Sequence, residues 1–143
     1  MARLLALDIG DKRIGVAVSD ESQLLARPLT TVARASKRQD FERIARLAAE
    51  HNATRVIVGL PRTLRGEEGP QAKRVRRYAD ALSAAVGLPI AFQDERYSSV
   101  EAEERLAASR KRRSREAIDA AAAAIILQDY LNQRTSPRPL PLS

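Results

Sequence analysis

Three acidic positions fall in segments that otherwise read as buried. Asp8 closes the apolar run "LLALD", Asp94 and Glu95 close "AFQDE", and Asp119 lies in "IDAAAAAIILQDYL". A carboxylate in such surroundings costs several kcal/mol unless something compensates it. Each has a plain alternative: Asp8 before Gly10 can serve a turn, the "DER" triplet can be a solvated strand end, and Asp119 can complement a helix dipole. Taken together, two carboxylates at strand ends and one on an apolar helix face are the oxygen donors that a hard divalent cation requires. Consecutive strand residues face opposite ways, so only one of Asp94 and Glu95 can share a site with Asp8.

Composition narrows the chemistry further. The 143 residues contain no cysteine and one histidine, His51, which excludes thiolate metal sites, disulfides and thiol nucleophiles. A hydrolytic triad would need His51, yet it sits where a helix ends and reads as a cation near a C-terminus. The excess of 25 basic over 18 acidic residues, net +7, points to a polyanionic partner, with nucleic acid foremost. No run of about 18 apolar residues and no secretory signal is present, so the expectation is a cytoplasmic protein without a membrane role.

Basic residues cluster in three places. "SRKRRSR" holds Arg110, Lys111, Arg112, Arg113 and Arg115 just before the helix of Asp119, and is read as a phosphate-binding loop. In "GLPRTLRGEEGP", Arg62, Thr63 and Arg65 either touch a backbone phosphate or belong to a plain connection. Lys73, Arg74, Arg76 and Arg77 share a helix whose geometry spreads them over more than one face. Tyr97 is either a base-stacking ring or part of the core.

These residues need elements to hold them. Hydrophobic alternation predicts strands at 3–9, 13–19 and 24–32, a helix over 38–52, a buried strand at 55–59, and a helix from Pro70 to just before Gly87. Beyond it lie a strand over 88–95, a helix capped by Ser98 or Ser99, and a last helix over 115–133. The fold class is therefore α/β, a mixed sheet with its first three strands antiparallel and helices on both faces. One domain spans 1–134, and the Pro-rich residues 135–143 read as a poorly ordered tail.

In order and spacing, "ALDIGDKRIGVAVSD", "VIVGLPRTLRGEEGPQAKRVRRYADAL", "DERYSSVEAEERL" and "IDAAAAAIILQDYL" resemble the motifs of the YqgF or RuvX family, described as Holliday junction resolvase-like proteins and nucleases of precursor 16S rRNA. The resemblance covers about residues 3–132. It implies an RNase H-like fold with a five-stranded mixed sheet, and it implies Asp8, Glu95 and Asp119 as catalytic metal ligands, choosing Glu95 over Asp94. One or two Mg²⁺ or Mn²⁺ ions would activate a water and stabilise the leaving oxygen of a phosphodiester. The implied substrate is precursor rRNA, or else single-stranded or branched DNA or RNA, cut by a monomer or a homodimer. Two rival readings are a non-catalytic nucleic-acid-binding module and an actin-like ATPase, though the latter needs a second domain and a second phosphate turn.

Overall fold

The computed structural model describes residues 2–61, 66–95 and 115–135. Its elements are β1 (Arg3–Ile9), β2 (Arg13–Ser19), β3 (Ala26–Ala33), α1 (Lys37–Glu50), β4 (Ala53–Leu60), α2 (Pro70–Val86), β5 (Ile90–Asp94) and α3 (Arg115–Thr135). Residues 62–65, 96–114 and 136–143 lie outside the description, and with them Arg62, Arg65, Tyr97, Arg110, Lys111, Arg112, Arg113, the helix expected after Ser98 and nearly all of the expected tail. Arg115 is placed only as the first residue of α3.

The five strands form one sheet in the order β3-β2-β1-β4-β5. β1 pairs antiparallel with β2 and parallel with β4; β2 pairs antiparallel with β3, and β4 parallel with β5. The most apolar strand thus takes the centre, where both of its faces are covered. Pairing also fixes faces. Leu5, Leu7 and Ile9 join Val16, Val18, Val56, Val58, Leu60 and residues of α1 and α2 in the larger core. Leu4 and Ala6 join Ala17, Ile57 and the α3 residues Ala123, Ile126, Leu127 and Leu131 in the smaller one.

Side chains set several boundaries. Asp20 accepts hydrogen bonds from the Ser22 hydroxyl and from the backbone N–H groups of Leu24 and Leu25, which together hold its carboxyl below the usual range. Those bonds keep residues 24 and 25 in a turn, so β3 begins at Ala26, two residues after the expected start. Ser36 caps α1 by accepting from the Gln39 N–H, and Pro70 opens α2 at its first turn. His51 is the C-cap of α1, and Asn52 leaves the helix at φ 54°. Pro89 has no N–H for a ladder, and its carbonyl accepts from Val56 N–H, which delays β5 to Ile90. α3 continues two residues past the expected end.

Candidate active site at the carboxyl ends of the central strands

Asp8 is the next-to-last residue of β1 and faces α3, since it alternates with Leu7 and follows Ala6 on that side. Its antiparallel partner is Gly15 on β2. On its other flank, Leu7 pairs with Val58, so Gly59 of β4 lies one step further along, beside Asp8. A carboxylate at the strand end is therefore bracketed on one face by two glycines.

Each glycine makes room for another acidic residue. A Cβ at Gly15 would overlap the backbone carbonyl of Asp119, so the first turns of α3 rest directly on β2. At Gly59 a Cβ would lie 2.5 Å from Glu95 Oε1 and 2.6 Å from Ile126 Cδ1. The sheet resolves the choice between neighbours in the same way. Asp94 pairs with Leu60 and shares the face of the larger core, whereas Glu95 follows Gln93 on the face of Gly59. Glu95 N–H donates to the Leu60 carbonyl at 3.1 Å, which extends the ladder and fixes that orientation.

The crowding shifts the charges. Burial, and then the neighbouring charge of Asp119, push the Asp8 carboxyl from 3.8 up to about 6. Burial, followed by the charges of Asp8 and Asp94, pushes Glu95 from 4.5 up to about 8. Crowding and burial of this kind raise the affinity of carboxylates for a proton, and a neighbouring cation would relieve it. Asp119 is arranged differently: Arg13 Nε donates to its Oδ2 at 2.7 Å. Among the described residues no three His, Cys, Asp or Glu side chains converge closely enough to enclose an ion. The arrangement is two neighbouring buried carboxylates with a third at their rim, engaged by an arginine. An all-oxygen donor set with raised proton affinity fits a hard divalent cation.

Sequence reasoning overlooked Arg13, Gly15, Gly59 and Arg34. A glycine inside a strand pattern signals close backbone approach, and both "RIGVAV" and "VIVGL" carried that signal. Arg34 donates from Nη1 to the Gly10 carbonyl at 2.8 Å, and its guanidinium covers the Tyr78 ring at 4.7 Å. Buried Asp40 accepts from the Tyr78 hydroxyl at 3.1 Å and from Ala35 N–H at 3.0 Å. This network ties the turn after Asp8 to α1 and α2, and the spacing of its members along the chain gives no hint of it.

A family model described as "RuvX: Holliday junction resolvase" matches residues 2–133. A relative from Chloroflexus aggregans, named "Putative pre-16S rRNA nuclease", is 47% identical over 136 residues, covering 94% of this chain and 96% of the relative. One of the same name from Thermoanaerobacter pseudethanolicus is 44% identical and covers 92% and 97% of the two chains. Among solved structures, T. thermophilus RuvC in complex with Holliday junction substrate matches with a TM-score of 0.60 at 19% identity, over 95% of this chain and 97% of that one. The fowlpox virus resolvase with substrate Holliday junction DNA matches with a TM-score of 0.51 at 10% identity, over 94% and 99%. These likenesses establish the fold as RNase H-like.

Proposed function

The chain belongs to the RuvX family, and from that premise we propose that it is a divalent-metal-dependent nuclease hydrolysing phosphodiester bonds at the 5′ end of precursor 16S rRNA. The observation that carries the reading is identity near one half along almost the full length of relatives that bear that name. Supporting it is a set of carboxylates at the strand ends of an RNase H-like sheet.

Asp8, Glu95 and Asp119 would hold one or two Mg²⁺ or Mn²⁺ ions. When bound, such ions lower the pKa of a water and neutralise the leaving oxygen. The chain supplies the rest. Asp8 is held by β1 and Glu95 by its ladder bond to Leu60, and the raised proton affinity of both is what a cation would relieve. Arg13 orients Asp119 through its 2.7 Å bond. Arg62, Arg65, Arg110, Lys111, Arg112, Arg113 and Arg115 hold the backbone phosphates of the substrate by charge. The nucleic acid is the partner, the setting is the cytoplasm, and no helix among the described residues is long and apolar enough to cross a membrane.

Purified protein should cut precursor 16S 5′-end fragments with Mg²⁺ or Mn²⁺, leaving 5′-phosphate and 3′-hydroxyl ends. Asp8→Asn, Glu95→Gln and Asp119→Asn should each lower cleavage by at least about a thousandfold while leaving binding within about twofold. Binding without cutting under either metal would replace the enzyme with a non-catalytic binding module. Preferential cutting of four-way junctions by a dimer would replace the rRNA substrate with branched DNA.

A further inference from the structure

On the side of the sheet away from Asp8, the end of β1 opens into a cleft of about 340 Å³ between the turn at Gly10 and helices α1 and α2. Four cations line it, Arg34, Lys37, Arg74 and Arg77, against one carboxylate, Asp11. Arg34 is already committed to Gly10, to Asp40 at 4.0 Å and to the Tyr78 ring. Lys37, Arg74 and Arg77 are exposed, and among the described residues their side chains make no ion pair or hydrogen bond.

The basic run on α2 therefore divides. Arg76 grips Glu68 and lies over the Phe92 ring at 4.7 Å, a packing role. Arg74 and Arg77, three residues apart, turn their charges to the cleft, and Lys37 meets them from α1.

We propose that this cleft is a second phosphate-binding site, which takes the sugar–phosphate backbone of the same polynucleotide whose scissile bond lies at the carboxylates; the assignment rests on the nuclease reading. Gly10 stands two residues after Asp8, so the cleft and the carboxylates lie at the same end of β1, on opposite faces of the sheet, close enough for one polynucleotide to reach both. A free mononucleotide would need a surface for its base. Tyr78 offers none, being 4% exposed beneath Arg34 and against the edge of Phe41. Unpaired, exposed cations on two helices suit a chain of phosphates instead.

The test compares Lys37→Gln/Arg74→Gln/Arg77→Gln with an equal charge loss elsewhere on the surface, Arg38→Gln/Arg43→Gln/Arg46→Gln. Binding of a long fluorescent single-stranded RNA is measured in chelator across a salt series. The cleft variant should bind about tenfold or more weakly at low salt and lose about 2 from its log–log salt slope, and the control much less. Equal losses in the two variants, or none in the first, overturn the proposal. AMP binding by calorimetry that the cleft variant abolishes, with the RNA salt slope unchanged, also overturns it in favour of a free nucleotide. Because binding is read without metal, a protein that never cuts would sink the nuclease reading and leave these slopes interpretable. Normal cutting with unchanged slopes would sink only the cleft.

Discussion

Beneath α1 and α2 the sheet presents Leu5, Leu7, Ile14, Val16, Val18, Val56, Val58 and Leu60, whereas beneath α3 it presents Leu4, Ala6, Ala17, Ile57 and the two glycines that flank Asp8. The first face is thick and keeps its helices at side-chain distance. The second is thin, and α3 meets it through Ala120 and Ala123 with its backbone almost on the sheet. Bulk on one side supplies the stability that lets the other side gather carboxylates which repel one another. Substitutions on the two faces should therefore fail differently.

Leu82→Ala, in the thick core and fully buried, should lower unfolding free energy by about 2–5 kcal/mol in urea titration while turnover per folded molecule changes less than about twofold. A comparable loss of turnover would erase the contrast. Gly15→Ala should do the reverse, since its Cβ meets the Asp119 carbonyl and α3 must shift: about 1–3 kcal/mol of stability, with cleavage down by more than about tenfold. Wild-type turnover in that variant would show that α3 need not sit so close.

Proton linkage probes the thin face directly. Asp8 and Glu95 have folded pKa values raised above their ordinary 3.8 and 4.5, to about 6 and about 8, so the folded protein binds more protons than the unfolded chain between those limits. In chelator, stability should fall as pH climbs through that window and level off on either side, with a melting temperature on the order of 5 °C lower at its alkaline end. Mg²⁺ or Mn²⁺ should restore most of that loss, and a flat chelator profile would show that burial does not raise the proton affinity of Asp8 and Glu95. The smallest effect belongs to the thick face. Tyr78→Phe removes one of the bonds to buried Asp40 and should cost about 1 kcal/mol in thermal unfolding.

The described strands and helices were legible because their hydrophobic periods are strong, and Pro70 marks the start of α2 as local chemistry predicts; α1, expected to reach residue 52, ends at Glu50 with His51 as its C-cap. β3 was misjudged at its start because the apolar Leu24 and Leu25 resemble a strand, while the Asp20 side chain claims their N–H groups. Asp8 stood out as a charge in an apolar strand; spacing left Asp94 and Glu95 open, the family resemblance pointed to Glu95, and the register of β4 against β5 puts Glu95 on the face of Gly59. Arg13 and Arg34 could not have been found from spacing. Their partners, Asp119 and Tyr78, are distant in the chain and are brought near only by tertiary packing.

The bond between Arg13 and Asp119 spans 106 residues of sequence. Asp8 and Glu95 precede Asp119 in the chain, and the third carboxylate reaches the site only when α3 packs on the sheet. Loop closure over such a separation favours late docking of α3 in folding, and early release when the protein opens locally. In the nuclease reading proposed above, cleavage competence would then depend on the docking of α3, and a partly opened chain would be folded on one face without being able to cut.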